Sequence, residues 1–369
     1  RKPGNAFFQP AVCFKHFSRR SSAAVTEADI VTGALGHAAL PQMVRDFSLD
    51  RQRIVSIPQH EKGETFEACS AADFGVRTRA FLKIQDGCDN WCSYCIIPAA
   101  RGPVRSKPMP ELQSELAALA QNGYREIVLT GINLSNYGRE WGLHLSDAVL
   151  AAAATDGVER VRLGSIEPDL LTPQEIYRLA EGCRGKLCPQ FHLSLQSGCD
   201  ATLRRMNRHY DTAGYRAVAE AVRQAFPGAA LTTDMMVGFA GETEEDHRQS
   251  LAFAREIGFA KIHAFAYSRR AGTRAALMPD QVPQAEKKRR CAELIAVAAE
   301  LRKTALTAML GQVQPVLFES RGQQGCTGYT PNYTPVTVFD PAARPGEIRP
   351  VLLTAIAADA DGCEGILTE

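Results

Sequence analysis

The sequence predicts an α/β chain: a partial (β/α)6 barrel, preceded by a short N-terminal α/β segment and followed by a small C-terminal β-barrel. Three observations predict it. Apolar, β-branched runs recur at Phe81–Ile84, Glu126–Leu129, Arg160–Leu163, Phe191–Leu195, Leu231–Val237 and Lys261–Phe265. Amphipathic stretches separate them, among them Glu111–Asn122, Pro173–Gly182, Gly214–Ala225 and Glu244–Ile257. After Pro279-Asp280 the pattern changes to a long helix, Val282 to Leu310, and then to short strands with Gly/Pro turns.

Taken in order, residues 1–50 hold one clear element, the run Ala28-Asp29-Ile30-Val31-Thr32-Gly33, which reads as a strand ending at a turn. Residues 51–73 lack a helical stripe and read as a linker. Across 74–310, strands alternating with helices imply parallel pairing through right-handed crossovers. Six such units make an open barrel rather than a closed one of eight. From 311 to 369, Val313–Phe318, Pro335–Phe339 and Arg349–Ala357 are the expected strands of the small barrel.

The 369 residues are 45% hydrophobic, and 42 basic groups nearly cancel 41 acidic ones, for a net charge of +1. That excludes a chain whose main business is a charged disordered tail. No apolar run approaches the roughly 20 residues of a membrane helix, so no membrane partner is expected. The eleven cysteines are spread along a chain large enough to build its own core, so they are not a secreted disulfide framework. A reducing cytoplasm, with some thiols used as metal ligands, fits better.

One group of cysteines is tight. Gly87-Cys88-Asp89-Asn90-Trp91-Cys92-Ser93-Tyr94-Cys95 places three thiols in a C-x3-C-x2-C spacing directly after the first barrel strand. Soft thiolates suit a soft metal centre. A cubane iron–sulfur cluster usually takes four cysteines, so three leave one iron open for a ligand. The rival readings are a zinc knuckle with a distant fourth ligand, although zinc spacing is more often paired C-x2-C, and three unrelated thiols. Polar and glycine-bearing turns follow the other strands at Thr130-Gly131-Ile132-Asn133, Ser165-Ile166-Glu167-Pro168, Gln196-Ser197-Gly198, Val237-Gly238-Phe239 and Tyr267-Ser268-Arg269-Arg270. In a βα barrel those turns form the rim where sites are built.

The triplet, with an aromatic residue before its last cysteine, resembles the signature of radical S-adenosylmethionine (SAM) enzymes. Further runs look like the methylthiotransferase family within them: Cys95-Ile96-Ile97-Pro98 with Ala100-Arg101-Gly102, Leu129-Thr130-Gly131-Ile132, Arg205-Met206-Asn207-Arg208, Gly241-Glu242-Thr243 and Tyr267 to Thr273. The run His192 to Asp200 is most similar to the branch acting on N6-threonylcarbamoyladenosine in tRNA. The resemblance implies a radical-SAM core, a C-terminal TRAM β-barrel that grips RNA, and a [4Fe–4S] cluster on Cys88, Cys92 and Cys95 whose open iron binds SAM. It implies SAM neighbours at Thr130, Gly131, Glu167, Gln196, Val237, Gly238 and Phe239, and shielding of the cluster by Trp91 and Tyr94. A methylthio group would go to C2 of the modified adenosine beside the anticodon, with an electron donor such as flavodoxin or ferredoxin. The expected rivals are the isopentenyladenosine tRNA branch, the ribosomal-protein aspartate branch, and a metal-bearing RNA-binding protein without turnover. Which side chains act beyond the cluster and SAM, and the oligomeric state, do not follow from the sequence.

The chain also departs from the family. The family draws three N-terminal cysteines for a second [4Fe–4S] cluster, and only Cys13 stands in the matching place, sixteen residues before Asp29-Ile30-Val31. Residues 1–50 are therefore expected to be a remnant of that domain, with Cys13 as its third ligand and Cys69 a distant further thiol. Charge is uneven as well: residues 312–369 carry 3 basic against 7 acidic groups, unlike an RNA-gripping barrel. The expected RNA contacts are Arg101 and Arg105 after the cysteine loop, Arg269 and Arg270 on the rim, and Tyr329 and Tyr333 as stacking rings.

Overall fold

The computed structural model describes residues 28–61, 63–67, 78–323 and 325–368. Cys13, Cys69 and most of the expected N-terminal remnant lie outside the described residues. Within them, β1 (Ile30–Thr32), α1 (Leu40–Asp50) and β2 (Ile54–Ser56) form a strand–helix–strand unit in which the two strands pair in parallel. β2 falls inside the stretch expected to be a linker. Three residues show too little alternation to be read as a strand.

The half-barrel follows. β3 (Arg79–Asp86) leads through the cysteine loop to α2 (Ile97–Arg101), the short antiparallel edge strand β4 (Arg105–Ser106) and α3 (Met109–Gln121). Then come β5 (Glu126–Gly131), α4 (Leu145–Ala154), β6 (Arg160–Leu163), α5 (Pro173–Gly182), β7 (Gln190–His192), α6 (Asp200–Arg205), α7 (Thr212–Ala225), β8 (Ala230–Val237), α8 (Glu244–Ile257) and β9 (Lys261–Ala266). β3, β5 and β6 pair in parallel, as do β7, β8 and β9. Single bridges at Val161–Leu187 and Ile166–Leu193 join the two groups into one open curve.

Helix starts are written in the local sequence. Thr243 caps α8 reciprocally with Asp246, Asp211 accepts from the Gly214 N–H at the start of α7, and Thr172 does the same for Glu175 in α5. Each such cap is worth about 1 kcal/mol. Alternation along the strands then sorts the faces. Leu82, Ile84, Ile127, Leu129, Val161, Leu163, Leu193, Leu231 and Met235 join the helices in one buried core. The alternate residues face the concave side, the lumen, and include Lys83, Thr130, His192, Asp234 and His263.

α9 (Gln284–Thr307) packs along β9 and delivers the chain to the C-terminal barrel. Its strands are β10 (Val313–Gly322), β11 (Gly325–Tyr329), β12 (Pro335–Val338), β13 (Ile348–Ile356) and β14 (Cys363–Leu367), closed in the order β10-β11-β12-β14-β13. β11 and β14 are additional to the expected strands. β11 is glycine-rich because a Cβ at Gly328 would sit 2.2 Å from the Leu317 carbonyl oxygen, so no larger residue fits that pairing.

The barrel plugs the amino end of the half-barrel lumen through a buried ionic network. Arg162 holds Glu126 at 2.7 Å, with Arg160 and Arg79 at 3.7 and 3.8 Å, and Arg79 pairs with Glu319 of β10 at 2.5 Å. Arg160 and Arg162 also donate to the carbonyls of Pro315 and Pro331. Asp361 receives Lys261 at 2.7 Å. The acidic excess of the C-terminal segment is therefore partly committed to docking on the core.

Tyr329 and Tyr333, expected to stack on bases, stack on each other at 4.6 Å, and the Arg79 and Arg162 guanidiniums lie over the Tyr333 ring. That arrangement corrects the expectation for at least one face of each ring: these aromatics build the interface between barrel and core.

Candidate active site

The cysteine loop is held at the carboxyl end of β3 by backbone geometry before any side chain acts. Gly87 has φ +72°, and a Cβ there would lie 1.8 Å from the Pro103 carbonyl oxygen. The Cys88 N–H donates to the Gly102 carbonyl at 3.2 Å. Positive φ costs a non-glycine residue about 1–3 kcal/mol, and the overlap with Pro103 adds to that. Gly87→Ala is thus expected to displace the loop and to lower both the melting temperature and the iron bound per chain. Unchanged iron loading would contradict this.

The other end of the loop is clamped by the Arg205-Met206-Asn207-Arg208 run. The Ser93 N–H donates to the Met206 carbonyl and the Ser93 hydroxyl to that of Arg205, both at 2.8 Å. Asn207 Nδ2 donates to the Asn90 and Trp91 carbonyls at 3.2 Å. Three non-glycine residues in the surroundings, Trp91, Asn207 and Gln196, adopt left-handed backbone at φ 49°, 57° and 67°. Strain of this kind gathers at functional sites.

Each sulfur of the triplet has a polar hydrogen aimed at it. Arg208 Nη1 lies 3.3 Å from Cys92 Sγ, Asn133 Nδ2 lies 3.7 Å from Cys88 Sγ, and the Ile97 N–H lies 3.4 Å from Cys95 Sγ. Burial pushes the Cys88 and Cys92 thiols up, and Arg208 opposes it at Cys92. Burial thus works against free thiolates at Cys88 and Cys92, and the donors are already in place to stabilise sulfurs that ligate a metal centre. A single zinc ion, with bonds near 2.3 Å, would need sulfurs roughly 3.8 Å apart. Among the described residues the group whose ligand atoms lie within 4.8 Å of one another is His192, Asp234 and His263, not the cysteines. The three sulfurs are therefore not drawn together as a single zinc ion would require.

Arg208, which the sequence shows only as the last residue of the Arg205-Met206-Asn207-Arg208 run, is the hub of the site. Its side chain is 3% exposed; it pairs with Glu167, donates to Tyr210 Oη at 2.9 Å and reaches the Ser194 carbonyl at 3.1 Å. Burial alone would lower its pKa, but Tyr210, Tyr94, Glu167 and Cys92 together hold it well above the ordinary guanidinium value. Burial pushes Glu167 up against the pull of Arg208. The signal was present in the Arg205–Arg208 run, whose four residues all serve this loop.

The predicted rim residues divide. Thr130 and Gly131 end β5 half-buried, and the Asn133 N–H donates to Gln85 Oε1 at 2.7 Å. Asn133 Oδ1 and Gln196 Oε1 are buried acceptors without a hydrogen-bond partner among the described residues, as a rim built to receive an amino or hydroxyl donor would leave them. Gly238 takes φ +69° with its N–H on Glu242 Oε1 at 2.8 Å. The Phe239 ring is fully buried between Tyr94 and Tyr267, so this residue offers the rim only its backbone. Trp91 is exposed, whereas Tyr94 packs inward behind the loop.

Of the arginines expected to meet RNA, Arg105 is corrected: it is 2% exposed and committed to Glu64, Asp86 and the Arg101 and Pro103 carbonyls. It braces the loop instead. Arg101 is half-buried 3.8 Å from Asp86, and Arg269 and Arg270 are exposed on the rim.

Residues 82–254 match the radical SAM superfamily. The chain is 34% identical over 331 residues to threonylcarbamoyladenosine tRNA methylthiotransferase MtaB of Bacillus subtilis, covering 88% of this chain and 73% of that protein. It is 36% identical over 337 residues to tRNA-2-methylthio-N(6)-dimethylallyladenosine synthase of Acidothermus cellulolyticus, covering 89% and 67%. Among solved structures, coproporphyrinogen III oxidase (HemN) of Escherichia coli aligns with a TM-score of 0.44 at 15% identity, over 61% of this chain and 53% of that one. With a third of its residues shared across most of both lengths, and with the cysteine loop and rim described above, this chain belongs to the radical SAM tRNA methylthiotransferase family.

Proposed function

We propose that the chain places a methylthio group on C2 of N6-threonylcarbamoyladenosine beside the anticodon of tRNA, in the cytoplasm, drawing electrons from a flavodoxin or ferredoxin. The observation that carries the reading is the convergence on one rim of Cys88, Cys92 and Cys95 with the Arg208–Glu167 pair and the open acceptors of Asn133 and Gln196. Three relatives at 34–35% identity bear that activity in their names. The dimethylallyladenosine reading stands second, because relatives at 34–36% bear that name.

When bound, a [4Fe–4S] cluster with SAM supplies one-electron chemistry able to take hydrogen from an unactivated C–H bond. Cys88, Cys92 and Cys95 would hold it. Arg208 keeps positive charge beside Cys92 and fixes Glu167, which would face the cofactor's ribose or the substrate. Thr130, Gly131, Gln196 and the Val237-Gly238-Phe239 turn would complete the cofactor's berth. Cys13 would serve a second cluster as sulfur source, the C-terminal barrel would act as a TRAM-like RNA grip, and Arg101, Arg269 and Arg270 would meet tRNA phosphates.

The test is nucleoside mass analysis of tRNA from cells lacking the gene and having no other such enzyme, with and without the protein restored. The methylthio-threonylcarbamoyl nucleoside is expected to vanish and return. Its persistence without the protein, or loss of the dimethylallyl counterpart instead, would overturn the reading.

A further inference from the structure

The lumen below the rim carries a polar cluster that the cysteine loop does not use. His192 on β7, Asp234 on β8 and His263 on β9 project from three adjacent parallel strands, with ligating atoms all within 4.8 Å of one another. His192 Nε2 lies 3.5 Å from Asp234 Oδ2, and its Nδ1 lies 3.1 Å from Thr232 Oγ1, which also receives Gln190 Nε2. Asp234 is four residues before Gly238, about 13 Å deeper along the strand than the rim turn. The Gln196 N–H donates to the Asp234 carbonyl at 2.8 Å, so the cluster adjoins the floor of the berth assigned to the cofactor.

Its chemistry is that of a receptor. Burial works against the Asp234 charge, but the adjacent His192 imidazole, with His263 beyond it, holds the carboxyl below its usual range. Partial desolvation holds His263 below its ordinary value against the pull of Asp234, so near neutrality it is an uncharged ring with one donor and one acceptor nitrogen. His263 is exposed to the lumen, and Phe265 two residues on is 37% exposed beside it. An ionised acceptor, two imidazoles and an open aromatic edge line one wall of the lumen.

The two substrate classes named among the relatives differ in just this respect. A threonylcarbamoyl group brings urea N–H groups, a hydroxyl and a carboxylate; a dimethylallyl group is hydrocarbon. A hydrocarbon pressed on this wall would strip water from Asp234 and the imidazoles without replacing their hydrogen bonds, and sites built on such bonds reject analogues that lack them. We propose that His192, Asp234 and His263 form the subsite for the N6 substituent of the substrate adenosine, selecting the hydrogen-bonding threonylcarbamoyl group over dimethylallyl. This rests on the methylthiotransferase reading above and adds the residues that choose its substrate.

The test uses anticodon stem-loop hairpins carrying threonylcarbamoyladenosine, dimethylallyladenosine or plain adenosine, with binding followed by fluorescence anisotropy, which needs no turnover. The wild-type chain is expected to bind the threonylcarbamoyl hairpin at least about tenfold more tightly than the dimethylallyl one. Asp234→Asn, which keeps the shape, and His263→Phe, at an exposed position, should each erase most of that preference while leaving plain-adenosine affinity near wild type. A general loss of folding would instead lower all three affinities and the melting temperature together, and would count against the assignment. A preference for threonylcarbamoyl that survives both substitutions overturns the subsite and leaves the proposed function standing. Equal binding of both modified hairpins by the wild type, or preference for dimethylallyl, overturns both. A preference that appears only with added zinc and disappears with a chelator makes the trio a metal site and overturns direct recognition.

Discussion

Replacing Cys92 with alanine is expected to leave a chain that folds but, after anaerobic reconstitution, holds little iron and no longer cleaves SAM on reduction. The loop around Cys92 is anchored independently of its sulfur, by Ser93 on the Arg205 and Met206 carbonyls, by Asn207 on Asn90 and Trp91, and by the Ala275 N–H on the Ser93 carbonyl at 2.8 Å. What the substitution removes is one of three thiolates, together with the partner of Arg208 Nη1. Outer hydrogen bonds to metal ligands are worth about 10–100-fold in affinity or activity, so Arg208→Gln should fall in that range and Cys92→Ala beyond it. Cys188→Ala is the control, since that thiol is buried near Arg162, Glu126 and Arg160 at the amino end of the half-barrel, away from the loop, and burial pushes it up to about 11. Iron content, the visible absorbance of the reconstituted chain, and 5′-deoxyadenosine yield are the measurements. Normal iron and cleavage in Cys92→Ala would remove the triplet from its assigned role.

Much of this fold was legible because its signals are local. The six core strands were found at their places since each is a β-branched run bounded by turns, and the Thr243–Asp246 and Asp211–Gly214 starts of α8 and α7 are capping patterns visible in sequence. The cysteine spacing likewise lies within one loop. What escaped depends on distant partners. β11 and β14 are short and glycine-bearing, and are strands only because the closed barrel supplies neighbours on both sides. Arg105 looked like a phosphate ligand because a sequence cannot say that Glu64 and Asp86 will surround it. Arg208 carries no local sign of its partner, because it reaches across more than a hundred residues to Cys92. His192, Asp234 and His263 lie in three separate strand runs with no local pattern joining them. Only the parallel register, which sets Asp234 beside His263 and His192 beside Thr232, brings them onto one wall.

The largest stability effect should come from a residue far from the rim. Glu126 is 1% exposed at the start of β5 and is the carboxylate on which three guanidiniums of the half-barrel converge, those of Arg162, Arg160 and Arg79. Burial already pushes Arg160 below its ordinary value. Glu126→Gln keeps the shape and removes the charge, leaving Glu319 as the remaining carboxylate in ion-pair contact with this group, through Arg79. Breaking a buried ion pair from one side costs about 3–5 kcal/mol, because the partner charge stays buried without compensation. The same guanidiniums hold the Pro315 and Pro331 carbonyls and the Tyr333 ring, so the penalty is delivered at the seam between half-barrel and C-terminal barrel. The variant should therefore unfold at markedly lower denaturant and become open to proteolysis near residues 310–313, between α9 and β10. An Arg79→Met, Glu319→Leu double variant, which removes one pair together, should cost less than Glu126→Gln alone, since it leaves no lone charge behind. If Glu126→Gln instead unfolds within about 0.5 kcal/mol of the wild type, as an exposed position would, the network does not fasten the two domains, and the stacked Tyr329 and Tyr333 rings must carry the seam.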